Sequence, residues 1–178
     1  MIKVSETKNT PPERFKTAFQ EGVYNVLERL GIEFLRVDNE PAVTMEDCIA
    51  IDAALNVKTV KTLLLCNRQK TNFYLFITEG DKPFVTKDFS RKLEISRTSF
   101  APAEMLGEML GCEVGSTTVL TLHNDKNNKI QLVIDKAVLT YEYYGCTDST
   151  TTSYMRIKTD DLINKYIPYS KHEAIIID

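Results

Sequence analysis

The stretch "VKTLLLCNRQKTNFYLFIT", residues 60–78, holds two apolar runs around a polar centre. Each run has the length and the aliphatic, aromatic and β-branched content of a strand. "NRQKTN" between them reads as the turn of a hairpin. In the first run, alternation puts Lys61, Leu63 and Leu65 on one face and Val60, Thr62, Leu64 and Cys66 on the other. Both faces of its distal part are apolar, which predicts a central strand. Lys61 then lies where the sheet interior meets its rim. By position alone, its stem packs and its ammonium snorkels to water. The alternative is a fixed cation beside a pocket, able to hold a phosphate or polarise a carbonyl.

Outward from the hairpin, hydrophobic spacing predicts the other elements. Phe15, Phe19, Val23, Val26, Leu27 and Leu30 recur at helical intervals after Pro11–Pro12, and Gly31 stands where a C-terminal cap belongs. "EFLRV" (33–37) reads as a short strand, and Thr44 opens a cap-like T-M-E-D before a helix through Ala50, Ala53 and Leu55. "TKDFSRKL" (86–93) reads as an amphipathic helix. Ser99 is placed to cap a helix carrying Met105, Leu106, Met109 and Leu110, ended by Gly111. "VLTL" (119–122) and "IQLVI" (130–134) read as strands around the turn-rich "HNDKNNK". A strand near 138–144, another near 154–157, a helix from Thr159 to Ile167 and a final "AIII" strand close the chain. Strands outnumber helices and hairpins dominate. The fold class expected is therefore α+β: one domain, with a mixed, largely antiparallel sheet flanked by helices. Residues 1–10 are polar and read as a flexible extension, and residues 11–178 as the domain.

With 178 residues, 43% of them hydrophobic, the chain supports one core. It has no apolar run near the ~20 residues of a membrane helix, and its polar start lacks the apolar centre of a signal peptide. A cytoplasmic protein without membrane attachment is expected. Cys48, Cys66, Cys112 and Cys146 form no CxxC pair, so reduced thiols are expected in place of a disulfide frame or metal site. The net charge is −3, yet residues 58–97 hold nine Lys/Arg against four Asp/Glu. Such a segment reads as solvated charge or as a footprint for phosphates.

Two further stretches carry polar chemistry. "GCEVGST" (111–117) puts two glycines around a bend, where backbone N–H groups can approach a ligand oxygen or simply cap a helix. "GCTDSTTTSY" (145–154) has six Ser/Thr residues, as a polar turn or a ligand-binding wall requires. Cys112 or Cys146, with His123 as base, forms a third possibility, without a recognisable Cys–His signature.

Taken in order, "PAVTMEDCIAI", "VKTLLL", "ISRTSFAPAEMLGEMLGCEVGSTTVLTL", "IQLVIDK" and "KTDDLINKY" resemble the YbaK/prolyl-tRNA-editing family, in particular its free-standing ProX (PrdX) type. The resemblance spans roughly residues 17–178. It implies a trans-editing hydrolase that deacylates mischarged tRNA, typically alanine or another small amino acid on tRNA for proline, with no cofactor. Lys61 matches the family's key lysine, which positions the 3′-terminal nucleotide and the ester for attack by water. The family's G-x-E-P-G-S loop matches Gly111, Glu113, Gly115 and Ser116, with Val114 in place of its proline. Gly115 and Ser116 are thereby implied to bind substrate, and Lys58 and Lys61 to contact tRNA.

One element departs from the pattern. Thr147 and Asp148 stand where the family's His-Pro is expected, and Thr151 where its Asn is expected. These three positions would face the aminoacyl group. Asp148 there would attract an amino group or change which side chain fits, or the chain is a catalytically silent paralogue that binds tRNA or a free amino acid. The implied partners are the acceptor end of a mischarged tRNA and, as a candidate, prolyl-tRNA synthetase. The state expected is a monomer or weak homodimer.

Overall fold

The computed structural model describes all 178 residues. Helix α1, Ala18–Leu30, starts where the Thr17 hydroxyl accepts from the Gln20 N–H at 3.1 Å. It ends at Gly31, whose φ of 65° lets its N–H reach back to the last turn. Strand β1 is Phe34–Asp38 and helix α2 is Cys48–Leu55. The T-M-E-D stretch caps one turn ahead of α2: Thr44 Oγ1 accepts from the Asp47 N–H at 3.2 Å. In return, Asp47 Oδ2 accepts from the Val43 and Thr44 N–H groups, both at 3.0 Å.

The hairpin forms as its sequence predicts: β2, Val60–Asn67, pairs antiparallel with β3, Phe73–Glu79, with Lys61 opposite Thr78. Helix α3, Thr86–Lys92, precedes the short β4, Thr98–Phe100, and helix α4, Ala103–Leu110. Strand β5 is Ile130–Asp135, β6 Tyr143–Thr147, β7 Ser153–Lys158 and β8 Ala174–Ile177. Helix α5 runs from Thr159 to Ser170 with a π-helical stretch at Leu162–Tyr166.

The strands form two sheets. The larger is ordered β4-β2-β3-β5-β8, with the β3–β5 and β5–β8 pairs parallel. The smaller is β1-β7-β6, antiparallel throughout. An isolated parallel bridge, Thr59 to Gly145, links the sheets. The alternation of β2 is realised: Val60, Leu64 and Cys66 enter the main core with α1 and α5, while Leu65 meets Phe76, Phe89 and Val133 on the opposite face. A separate cluster of Val37, Ala42, Cys48, Ile51, Leu55 and Tyr154 joins α2 to the smaller sheet. No helix is long and apolar enough to cross a membrane.

Four expectations are corrected. "VLTL" is not a strand but part of a buried 3₁₀ helix, Val119–Asn124, started by Thr118 Oγ1 accepting from the Leu120 N–H. A short run buried on all sides carries no periodicity to separate the two. Ser99 is no cap; it lies in β4 opposite Cys66, and Pro102 precedes α4. The strand expected near 138–144 begins only at Tyr143, because Asp135 caps a 3₁₀ turn at Lys136–Thr140. The first ten residues, read as a loose extension, lie along β1, with Lys8 and Arg36 exchanging backbone hydrogen bonds at 2.8 Å. The N–H of Ser5 donates to the Asp38 carbonyl at the same distance. A polar edge strand exposes such groups, and a polar segment can satisfy them.

Among the glycines, Gly111 leaves the least room for a side chain. Its φ is 64°, and a Cβ there would lie 2.0 Å from the Phe19 ring. Gly111→Ala is expected to lower unfolding free energy by about 2–4 kcal/mol, combining left-handed strain with overpacking. Chemical denaturation of the purified variant checks this.

Candidate functional site

Strand β4 covers β2 only at Leu65–Asn67, with one more contact where the Ala101 N–H donates to the Leu64 carbonyl at 2.9 Å. From Val60 to Leu63, β2 therefore has β3 on one side and an open edge on the other. Strand alternation aims the Thr62 N–H and C=O into that gap. A cavity of about 390 Å³ fills it, walled by Thr59–Leu64, by the Val43–Met45 loop with Cys48, and by Phe100 and Ala101. Leu106, Val114, Gly115, Thr117, Cys146, Thr147 and Tyr154 complete the wall. The lining is mostly apolar and includes no His, Asp or Glu.

Of the residues singled out in the sequence, Lys61, Gly115 and Thr147 meet at this cavity. The Lys61 ammonium donates to the main-chain carbonyl of Lys82 at 2.7 Å. It forms no ion pair with a carboxylate. Two of its three N–H donors stay free for a ligand. The carbonyl it uses is itself held: Lys82 Nζ lies 2.7 Å from Asp135 Oδ2, which also accepts from Thr78 Oγ1 at 2.7 Å. The Ala137 N–H donates to Asp135 Oδ1 at 3.0 Å. Burial pushes the Asp135 carboxyl up, but the hydrogen bonds from Lys82, Thr78 and Ala137 outweigh it and hold it below its ordinary value.

Gly115 adopts a φ of 93°, and a Cβ there would lie 2.7 Å from Val43 Cγ1. A glycine lets the 113–116 turn press on the Val43 loop and close that side of the cavity. Ser116 is fully buried, and its hydroxyl accepts from the Glu113 N–H at 2.9 Å. Its own N–H donates to the Glu113 carbonyl at 3.0 Å, and its carbonyl accepts from Thr147 Oγ1 at 2.6 Å. Ser116 thus fastens the turn to β6 and presents no free donor. Between the two residues, Gly115 carries the N–H that makes no bond within the chain.

Asp148 does not face the cavity. It is fully buried on the other side of β6, where Oδ2 accepts from Gln20 Nε2 at 2.8 Å and from the Tyr24 hydroxyl at 2.7 Å. Oδ1 accepts from the Thr150 hydroxyl at 2.7 Å and the Thr150 N–H at 3.2 Å. Its lone pairs are spent on α1 and on its own turn, so it is not placed to attract an amino group. Thr151 is likewise outside the cavity; its carbonyl accepts from the Ala42 N–H at 2.9 Å and Asn39 Nδ2 at 3.0 Å. Lys58 sits in an adjoining recess with Asp52, Glu79 and Asp81, its ammonium 5.4 Å from the Tyr141 ring centre.

The thiol alternative loses its chemistry here. Burial pushes the Cys112 thiol up to about 11 and the Cys146 thiol up to about 12, so neither forms a thiolate readily near neutrality. His123 Nδ1 is 2.9 Å from the Tyr166 hydroxyl, which occupies that nitrogen. Sequence reasoning missed Met45, Cys48, Phe100, Val114 and Tyr154 as cavity residues. No sequence pattern marks them; only the fold shows that Val43, Phe100 and Val114 are large apolar residues left 51%, 58% and 64% exposed.

Known proteins share this architecture. The chain belongs to the aminoacyl-tRNA editing domain family, whose model matches residues 39–165. It is 25% identical over 117 residues to the prolyl-tRNA editing protein ProX of Acetoanaerobium sticklandii, covering 66% of this chain and 71% of that protein. A crystal structure described as a candidate trans-editing enzyme for prolyl-tRNA synthetase superposes with a TM-score of 0.64 at 15% identity, over 91% of this chain and 98% of the other. The hypothetical protein APE2540 gives 0.66 at 16% identity, over 86% and 96%. These two likenesses show the fold.

Two outcomes follow from the geometry. Asp148→Ala leaves buried donors of Gln20, Tyr24 and Thr150 unmatched and is expected to cost about 3 kcal/mol or more in a denaturant titration. For Asp135, the folded value lies below the unfolded one, near 4. Its contribution is therefore complete above about pH 4 and fades as pH falls through the folded value. The stability gap between wild type and Asp135→Asn should narrow over that acid range in parallel urea titrations.

Proposed function

We propose that the protein is a trans-acting deacylase that hydrolyses the ester of a mischarged tRNA, with alanine or another small amino acid on tRNA for proline as the substrate class. The observation that carries this reading is the Lys61 ammonium, free of any carboxylate and anchored on a main-chain carbonyl, at the open edge of β2 in a chain of the editing family. A cation there attracts the sugar-phosphate of the 3′-terminal nucleotide and holds the ester against the cavity wall. The name of the ProX relative supports prolyl-tRNA as the carrier.

In this reading, water attacks the ester carbonyl, the bond to the ribose oxygen breaks, and free amino acid and tRNA leave. The cavity lining offers no carboxylate or imidazole as general base. The neighbouring ribose hydroxyl of the substrate takes that part, and the chain contributes orientation and charge. The Gly115 and Thr62 N–H groups are the main-chain donors available to the developing oxyanion, and Lys58 contributes at most long-range attraction from its acidic recess. The mostly apolar wall suits a small uncharged side chain. Lys82 and Asp135 act as positioning residues for Lys61.

A second reading, a silent paralogue that binds tRNA or a free amino acid, is favoured by one observation. At the positions where the family's His-Pro and Asn are expected, Thr147 is tied to Ser116, while Asp148 and Thr151 lie outside the cavity. Deacylation assays with Ala-, Ser-, Cys- and Thr-esters on tRNA for proline and on other tRNAs separate the two. Hydrolysis of at least one ester is expected; binding without any hydrolysis selects the second reading. Lys61→Ala is expected to reduce turnover at least 100-fold, on the order of one lost electrostatic contact, while circular dichroism and the melting temperature stay unchanged.

A further inference from the structure

Phe100 is an exposed aromatic with no evident task in the fold. It is 58% exposed, more than any other aromatic residue with a place in the cavity wall. It stands opposite Leu65 in the β4–β2 pair, and residues directly opposite share a face. Leu65, Leu63 and Lys61 alternate onto that same face. Phe100 and Lys61 therefore flank one strip of sheet, with Leu63 between them, about 13 Å apart along the strand. The Phe100 ring meets Phe84 edge-on, with centroids 5.8 Å apart and an angle of 62°. Phe84 is in turn held by Phe76 and Phe89, at 5.8 and 6.0 Å. The ring is thus supported from one side by a packed aromatic cluster. Phe100 also lines the cavity, as do the exposed Val43 and Val114.

A large apolar surface kept in water at a cavity mouth marks a binding surface. The shape of this one is specific: a supported aromatic ring at one end, an ammonium without a carboxylate partner at the other, and an apolar strip between. A nucleoside bearing a charged backbone and an acyl ester matches it, with its base on the ring and its backbone at the cation. We infer that Phe100 is the stacking platform for the 3′-terminal base of the tRNA acceptor end. The inference rests on the deacylase reading and adds its base subsite. Val43, Val114 and Phe100 carry no side-chain hydrogen-bonding group, so the platform accepts a base by its face and does not read its edge.

The test uses the full-length protein and an uncharged acceptor-stem RNA hairpin with 2-aminopurine as its 3′-terminal base, and a second hairpin with an abasic 3′ terminus. Stacking quenches the fluorophore on binding of wild type. Phe100→Leu, which keeps apolar volume but removes the ring, is expected to abolish the quench and weaken binding of the first hairpin about 5- to 150-fold, the range for one base stacked on an aromatic ring. Phe100→Tyr is expected to restore both, and all three proteins should bind the abasic hairpin equally. An unchanged quench in Phe100→Leu overturns the inference, as does an equal loss on both hairpins, which would mark a general effect on fold. In either case, ester hydrolysis by wild type still upholds the deacylase reading. If wild type neither binds the hairpins nor hydrolyses any ester, both fall together.

Discussion

Strand β2 has two neighbours for only half its length, and the site exists because of that. Where β4 ends, the backbone from Val60 to Leu63 faces a space that no further strand fills. The smaller sheet approaches that space and touches it through one bridge, Thr59 to Gly145. Continuous pairing there would have merged the sheets and erased the cavity. Both sheets instead share the main core built on α1 and α5, and the smaller one packs a second cluster against α2. The loops of residues 43–45 and 113–117 close the gap between them. Val60, Leu64, Leu106 and Cys146 belong to the main core, and Cys48 and Tyr154 to the second cluster, so the recess is walled by the edges of packed clusters.

The hairpin at 60–78 was legible because alternation and turn chemistry agree, and the two faces of β2 fall on two different clusters as the pattern requires. Lys61 illustrates the limit of such reading. Its face and rim position follow from parity, but its acceptor is a main-chain oxygen twenty-one residues away, which no side-chain pattern encodes. The 119–122 run shows a different limit: four buried residues in succession look alike in a strand and in a 3₁₀ turn, and the Thr118 cap decides. Polar loops misled in the opposite direction. The Ser/Thr-rich segment at 145–154 looks ligand-facing by composition, whereas most of its hydroxyl and carboxylate bonding is internal.

Asp148 shows how a carboxylate in a polar, ligand-like segment can serve the fold instead of the cavity. A carboxylate on the cavity side would have met a substrate amine. On the far side of β6, it is the acceptor that joins α1 to the β6–β7 turn through Gln20 and Tyr24. Burial first, and then this carboxylate 2.7 Å away, push the Tyr24 hydroxyl well above its ordinary value. Asp148 therefore serves as a tie between helix and sheet. The cavity wall is mostly apolar, and the Lys61 ammonium is its one fixed charge.

The anchor of that ammonium has a consequence for how the protein can vary. Lys61 leans on the carbonyl of residue 82, and every amino acid carries a carbonyl. Substitution at position 82 removes the link to Asp135 but never the acceptor itself. The lysine is thereby insulated from drift in its neighbour's identity and depends instead on the path of the backbone between β3 and α3. Insertions or deletions in that short turn, more than exchanges within it, are the changes that would unseat the cation.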